Sequence, residues 1–307
     1  MTQLLRLLVS SLLILLLACE KEEPKAKSPS NEFELAWVSN RMDNQLGIFI
    51  KDMTSEEATP LFLEKEYSPY NLNWDPSQKN MVFVSRGDLY LLDTESRAAR
   101  PLTSGDAKEG QASFQPDGIN LVYKSTRDDI KGEFYQQSIK DTLSKRLTEN
   151  LLYDMAPAVS PDGKRIASCQ ELKQDASVKS VFTGISIMDL SSGESKVLTA
   201  AAAQDCMPDW SPNGKKIAFH RCEKGSCQIY VMNADGSELN NISNDEFDSR
   251  WPKWSPDGEW IAYTTSRNGQ SDIYLMRADG SMKQAFTSDG GRDEIAVWRR
   301  KSVKQNP

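Results

Sequence analysis

The pentapeptide Trp254-Ser255-Pro256-Asp257-Gly258, followed by the apolar run Ile261-Ala262-Tyr263, decides the fold of this chain. Serine at the first turn position, proline at the second and glycine at the fourth favour a type I β-turn, because proline presets the backbone angle φ. Apolar residues stand on both sides of this turn. The stretch therefore predicts two antiparallel strands joined by a tight turn.

The same pattern recurs along the chain, with an aromatic or apolar anchor residue before each turn. The anchors are spaced by 40 to 51 residues, and Trp298 lies a further 44 residues beyond Trp254. Each repeat also contains apolar second and third strands and a polar fourth strand, which is typical of a propeller blade. The copies are Trp210-Ser211-Pro212-Asn213-Gly214, Val159-Ser160-Pro161-Asp162-Gly163, Phe114-Gln115-Pro116-Asp117-Gly118 and the worn Trp74-Asp75-Pro76-Ser77.

The two ends of the repeat region complete each other. Leu35-Ala36-Trp37 and Gly47-Ile48-Phe49-Ile50 are second and third strands without a first strand, whereas Trp298 lies on a first strand with nothing after it. Pairing them makes one composite blade and removes the exposed sheet edges. We therefore expect an all-β, six-bladed β-propeller over residues 33–299, followed by a polar tail at 300–307.

These repeats resemble the TolB-type β-propeller repeat, and the resemblance covers nearly the whole region after the linker. It implies the propeller fold, which is used by periplasmic binding proteins, by peptidases and by some polysaccharide lyases. TolB itself carries an α/β domain before its propeller, whereas here a short linker precedes Phe33. We therefore expect a TolB-like propeller without that domain.

The N-terminal residues have the features of an export signal. Arg6 is followed by an apolar run from Leu7 to Leu17, which is shorter than the roughly 20 residues of a membrane-spanning helix. Leu16-Leu17-Ala18-Cys19 resembles the bacterial lipobox, which implies a signal peptide at 1–18 and lipidation of Cys19. The alternative is an ordinary cleaved signal with a coincidental cysteine. Residues 19–32 then form a flexible linker, since they contain no large apolar side chain.

Composition and location limit the partners. The formal net charge is −7, which disfavours binding to a nucleic-acid phosphate backbone. We expect a monomer in the bacterial cell envelope, on the periplasmic face or the cell surface, attached to the membrane through its lipid. An envelope protein or peptide is the expected partner, and no cofactor is expected.

Acidic residues occupy one repeated position, five residues before the anchor. They are Glu109, Asp154, Asp205 and Asp293, with Pro69 and Ser249 at the remaining positions. Equivalent positions in a propeller lie on one circle, so these acids could form a negative channel mouth that attracts a cationic partner or a hydrated cation. The alternative is that each acid only bonds backbone amides of its own loop.

Four cysteines follow the signal region and could form two disulfides in an oxidising envelope. Cys222 and Cys227 flank a hairpin between second and third strands, and Cys169 and Cys206 lie at one end of neighbouring repeats. Buried free thiols are the alternative for both pairs. The cysteines lack the paired spacing of a zinc site, so no metal is expected.

Candidate catalytic residues are scarce. The chain contains no Gly-x-Ser-x-Gly motif, and its one histidine, His220, aligns with strand residues of other repeats. We therefore expect a non-catalytic binding module, with a glycan lyase or hydrolase acting through the channel as the alternative. The irregular hairpins at 127–132 and 171–180 are further candidate partner surfaces, and the alternative is that they are tolerated surface insertions.

Overall fold

The computed structural model describes residues 28–150, 152–175, 180–200, 203–288 and 291–301. Within these ranges the chain forms 24 β-strands and no α-helix. Accordingly, no helix of the described part has the length and apolar composition needed to span a membrane. The predicted signal, Cys19 and most of the linker and tail lie outside the described residues.

Four separate four-stranded antiparallel sheets account for most of the molecule. The composite sheet has the order β24-β1-β2-β3, and the others follow chain order. The composite strands are β1 (Phe33–Met42), β2 (Gln45–Asp52), β3 (Thr59–Phe62) and β24 (Asp293–Arg300). The next sheets contain β4 (Tyr70–Trp74), β5 (Asn80–Ser85), β6 (Asp88–Asp93) and β7 (Ala98–Pro101), and β8 (Glu109–Phe114), β9 (Asn120–Ser125), β10 (Glu133–Ser138) and β11 (Ser144–Arg146). The last contains β20 (Ser249–Trp254), β21 (Trp260–Thr265), β22 (Asp272–Arg277) and β23 (Gln284–Ala285).

The remaining strands form one eight-stranded sheet, where six separate blades were expected. One half contains β12 (Asp154–Val159), β13 (Arg165–Asp175), β14 (Ser180–Asp189) and β15 (Ser195–Val197). The other contains β16 (Gln204–Trp210), β17 (Lys216–Glu223), β18 (Ser226–Asn233) and β19 (Asn240–Asn241). The halves merge because β14 begins before the stretch that β15 covers, so its open edge makes one parallel pair, Thr183 with Gln204.

The composite sheet is confirmed in register. Phe33 of β1 pairs with Arg300 of β24, and Ser39 pairs with Asp293. The Trp298 indole N–H donates to the Lys253 carbonyl at 2.9 Å, and the Arg299 guanidinium lies 4.8 Å from the Trp74 ring centre. The composite sheet thus contacts the sheets on both sides, and the fold is an all-β propeller closed by strands from both ends.

The predicted turns form as their residues require. In the copy at 254–258 the Gly258 N–H donates to the Ser255 carbonyl at 2.9 Å, and Gly258 has a φ of 73°. Glycine adopts this left-handed conformation without steric cost. In the worn copy Gln78 takes the same position at a φ of 60°, so the turn survives without its glycine.

The hydrophobic core lies between the faces of adjacent sheets. Trp37 and Phe49 of the composite sheet, for example, pack against Trp260 and Ile273 of the last sheet. All four side chains are buried. We call the end of the ring where the innermost strands begin, marked by Glu109 and its equivalents, the acid end, and the opposite end, with the Ser-Pro turns, the turn end.

Candidate functional site

A central cavity of about 490 Å³ runs between the innermost strands. Its wall is formed by β4, β8, β12, β16, β20 and β24, the innermost strands of the repeats. Proline residues of the turns, such as Pro116 and Pro161, line it at the turn end. A cavity of this size falls within the usual range for ligand sites.

A β-bulge interrupts each innermost strand two residues after the position of the repeated acid. One residue of each bulge has a positive φ, between 23° and 57°. A bulge adds a residue to one strand and redirects its side chain. All of these bulge residues line the central cavity: Asn71, Gln111, Ala156, Met207, Trp251 and Ile295.

The cavity wall carries both polar and apolar residues. Asn71 and Gln111 contribute side-chain amides, whereas Met207, Trp251 and Ile295 contribute apolar surface. Side-chain amides can donate and accept hydrogen bonds. The wall can therefore bind a ligand that carries both amide groups and apolar side chains.

The charged residues of the wall make hydrogen bonds and ion pairs with other residues of this chain. The Lys253 ammonium lies 2.9 Å from Asp209, whose other carboxylate oxygen accepts the Trp254 N–H at 2.8 Å. Asp75 accepts the Lys79 N–H at 3.0 Å within the turn after β4. These carboxylates stabilise contacts between neighbouring sheets or within a turn.

The predicted acidic ring is arranged differently from the expectation. Glu109, Asp154, Asp205 and Asp293 do lie at one end of the ring, but each is at most 6% exposed and none lines the central cavity. Instead of forming an open negative mouth, they are buried within their sheets. Their predicted role in binding a partner or cation stays a prediction.

Three of the four acids form ion pairs with arginines of the same sheet. Arg221 binds Asp205 through two hydrogen bonds of 2.7 Å, Arg41 binds Asp293 at 2.5 Å and Arg127 binds Glu109 at 3.0 Å. Each arginine also lies over aromatic rings, and the three nearest distances to a ring centre are between 4.5 and 5.2 Å. The carboxylates thus anchor arginines that cover the aromatic side chains of their sheet.

Asp154 differs because no arginine bonds it. It accepts hydrogen bonds from Asn150 at 2.7 Å and Gln170 at 3.4 Å. Burial raises the pKa of Asp154 above its ordinary value, although these amide donors oppose the shift. Burial likewise raises the pKa of Glu109, with hydrogen bonds from Ser125 and the charge of Arg127 opposing it.

His220 has a structural role. It is buried, and burial together with the nearby Arg250 charge lowers its pKa to about 3. The neutral ring accepts the Trp251 N–H at Nδ1, at 3.4 Å. His220 therefore supports the bulge that directs Trp251 into the cavity.

The structure contains both of the anticipated disulfides. Cys222–Cys227 links opposite residues of β17 and β18, with their Cα atoms 3.9 Å apart. Cys169–Cys206 joins β13 to β16, with Cα atoms 4.9 Å apart, and so connects the two halves of the eight-stranded sheet. Within the described ranges, no group of three or more His, Cys, Asp or Glu residues could hold a metal ion.

Both irregular hairpins extend from the acid end. Between β9 and β10, Ile130 is 84% exposed. The β13–β14 hairpin continues to a pair between Asp175 and Ser180, and residues 176–179 lie outside the described part.

Sequence reasoning missed the bulge residues that line the central cavity, although each of them stands three residues before an anchor residue.

Comparison with known proteins places these features in a family. A family model described as the TolB beta propeller domain matches residues 24–206 and 177–303. The chain is 25% identical over 180 residues to the uncharacterised protein Atu1656 of Agrobacterium fabrum, which covers 55% of this chain and 60% of that protein. It is 34% identical over 147 residues to dipeptidyl-peptidase 5 of Porphyromonas gingivalis, which covers 44% of this chain and 21% of the peptidase.

A solved structure supports the same fold. The crystal structure of TolB from Acinetobacter baumannii matches with a TM-score of 0.75 and 22% sequence identity, over 88% of this chain and 68% of that one. At this identity the likeness concerns the fold alone. The chain also spans less than two thirds of the length of the curated relatives described above.

Proposed function

Because the chain belongs to the TolB β-propeller family, we propose that it is a non-catalytic binding module whose central cavity takes an extended peptide segment of another cell-envelope protein. The central cavity carries this proposal. Its wall combines the amides of Asn71 and Gln111 with the apolar side chains of Met207, Trp251 and Ile295. A peptide offers the same combination, with backbone amides beside apolar side chains.

The charge distribution of the wall supports a peptide without requiring a charged one. Lys253 and Asp209 bind each other, and Asp75 is engaged within its own turn. His220 is buried and neutral behind Trp251. Burying a paired or uncharged wall against a ligand avoids the desolvation cost of an unpaired charge.

We further propose that the ring has six blades, two of which form the eight-stranded sheet. Each half of that sheet has its own bulge, at Ala156 and at Met207. Each half also has its own Ser-Pro turn, closed by a hydrogen bond from Gly163 to Ser160 and from Gly214 to Ser211. Among the described residues, the strand pairing between the halves is one parallel pair and the covalent link is one disulfide, whereas strands within each half pair over several residues.

We also propose that a lipid on Cys19 anchors the chain at the surface of a bacterial envelope membrane, with residues 19–32 as the linker. At about 3.3 Å per residue, the twelve residues between Cys19 and Glu32 reach roughly 40 Å when extended. β1 begins at the turn end, because Phe33 pairs with Arg300 at the end of β24. The chain therefore approaches the ring from the turn end, and the acid end faces away from the point of attachment.

The experiment compares the full chain with a variant whose cavity is filled. Gln111→Trp places a large ring at a bulge position, and Trp251 already occupies the equivalent position of another sheet. Peptides selected from a displayed random library on the unmodified chain should bind Gln111→Trp at least about tenfold more weakly, which corresponds to about 1.4 kcal/mol.

The matched control is Asn244→Trp, which adds the same ring at an exposed residue that also has a positive φ. The selected peptides should bind this control as they bind the unmodified chain. Failure to select peptides, or equal binding to both tryptophan variants, would contradict a cavity site. Under the alternative of a glycan lyase or hydrolase, the chain would cleave its ligand and Gln111→Trp would abolish product formation.

A further inference from the structure

A second, smaller cavity of about 160 Å³ lies at the acid end, between the last sheet and the composite sheet. We call it the arginine pocket, because Arg250 and Arg292 contribute to its wall together with Asp248 and Glu294. Trp251 lines both this pocket and the central cavity. A ligand that passes Trp251 can therefore contact both.

The two carboxylates of the pocket are fixed by the protein. Asp248 accepts the Cys227 N–H at 2.7 Å and the Arg250 Nε–H at 2.7 Å. Glu294 accepts the Arg292 Nε–H at 2.7 Å and the Ser271 hydroxyl at 3.1 Å. Each carboxylate thus fixes one guanidinium group through its Nε–H.

The terminal nitrogens of both arginines remain available. In the described part of the chain, Arg250 and Arg292 donate side-chain hydrogen bonds only through Nε. Their side chains are 38% and 66% exposed. A guanidinium group presents its terminal N–H groups in a planar fork that matches a carboxylate, and such charge-assisted bonds are stronger than neutral ones.

We infer that the arginine pocket binds a carboxylate of the peptide that occupies the central cavity, either its C-terminus or an acidic side chain. This inference rests on the proposed peptide-binding function. The two arginines and two carboxylates of the pocket sum to zero charge. One added negative charge is therefore compensated more readily than the two charges of a phosphate.

The pocket also gives the site a selectivity for negative charge. The formal net charge of −7 repels acidic ligands at long range. Two guanidinium groups beside the cavity offset that repulsion at one position. Peptides with one carboxylate at the correct distance from Trp251 are then distinguished from peptides with none.

The test uses the full chain and small probes in a ligand-detected NMR titration. The probes are N-acetyl-alanyl-alanine, its C-terminal amide, N-acetyl-aspartyl-alanine amide and inorganic phosphate. We expect one of the carboxylate peptides to bind at least about tenfold more tightly than the amide without a carboxylate. Tighter binding of the free C-terminus assigns that group, and tighter binding of the aspartyl amide assigns an acidic side chain.

Two variants examine the arginines separately. Arg250→Gln and Arg292→Gln should each weaken the preferred carboxylate probe by about tenfold and leave the plain amide unchanged. The control Arg86→Gln makes the same change in charge at an exposed hairpin residue on another sheet at the acid end, and it should leave all probes unchanged. The melting temperature of each variant reports whether it folds. Because the Arg292 side chain is exposed, we expect Arg292→Gln to fold even if Arg250→Gln does not.

Equal binding of carboxylate and amide probes, or unchanged binding by both arginine variants, would overturn the inference. Tighter binding of phosphate than of either carboxylate would overturn the ligand class. The outcome is separable from that of the proposed function. If Gln111→Trp blocks library-selected peptides while Arg250→Gln and Arg292→Gln do not affect carboxylate preference, the central site stands and the arginine pocket does not bind a carboxylate.

Discussion

Replacing Asp205 by asparagine should destabilise the ring strongly. Asp205 is fully buried and makes two 2.7 Å hydrogen bonds with Arg221, whose side chain is 14% exposed. Removing one partner of a buried ion pair costs about 3–5 kcal/mol, since the other charge is left without compensation. Asparagine keeps one acceptor oxygen and Arg221 reaches some water, so we expect about 2–4 kcal/mol.

The matched control is Asp154→Asn, the same acid-to-amide change at the equivalent position of the neighbouring unit. Asp154 bonds the amides of Asn150 and Gln170 and no arginine. An asparagine can accept the stronger of these bonds, so the loss should be below about 1 kcal/mol. The contrast between the two variants isolates the arginine pair from the loss of a repeated acid.

Thermal unfolding of the full chain measures the difference. A destabilisation of 1 kcal/mol lowers the melting temperature by about 2–4 °C in a domain of this size, so Asp205→Asn should melt about 4–16 °C lower. Asp154→Asn should melt within about 4 °C of the unmodified chain. Equal melting temperatures for both variants would refute the structural role assigned to the acid–arginine pairs.

Four further outcomes are expected. Cys19→Ser should leave the chain unprocessed or release it from the membrane fraction, and unchanged processing with continued partitioning into the detergent phase would exclude the lipobox. Removing residues 294–307 should strip the innermost strand from the composite sheet and cause aggregation or loss of cooperative melting, whereas melting like the full chain would contradict closure through β24. Replacing Cys169 and Cys206 together by serine should lower the free energy of unfolding by about 3–4 kcal/mol, because the disulfide closes a loop of 37 residues in the unfolded chain. Denaturant unfolding measures this loss, and an effect below about 1 kcal/mol would exclude a constraining disulfide. Because burial raises the pKa of Asp154, its carboxyl binds a proton more readily in the folded state than in the unfolded state, and its contribution to stability therefore falls as the pH rises above about 3.8. Asp154→Asn should remove that fall from melting temperatures measured over a pH series. Parallel curves for the variant and the unmodified chain would contradict this expectation.

Local sequence signals predicted the turns and the closing strand well. The Ser-Pro-Asp-Gly turn depends on φ preferences of adjacent residues, so its copies can be recognised without any tertiary contact. The composite sheet followed from counting strands, because Leu35 to Trp37 and Trp298 complete one repeat. The merging of β14 with β16 could not be predicted, because it depends on how far the edge of β14 extends past β15.

The candidate site was harder to predict because its residues do not resemble one another. Asn71, Ala156 and Trp251 share a bulge position, but no common side chain marks it. The repeated acids were visible, yet their burial depends on partners that follow at different distances. Arg221 lies directly opposite Asp205, whereas Arg127 lies two residues beyond Ser125, the residue opposite Glu109. Sequence spacing alone therefore could not separate an open ring of charge from internal ion pairs.

The position of β1 has a mechanical consequence. β1 lies between β24 and β2, and its first residue is at the turn end, where the linker joins the ring. If the linker is tethered and a partner pulls from the acid end, the force runs along β1 and loads its hydrogen bonds on both sides in shear. Hydrogen bonds that lie perpendicular to the strands must then yield together instead of one after another. The ring should resist tension at the membrane far better than a sheet whose outer strand carried the tether and could be peeled away.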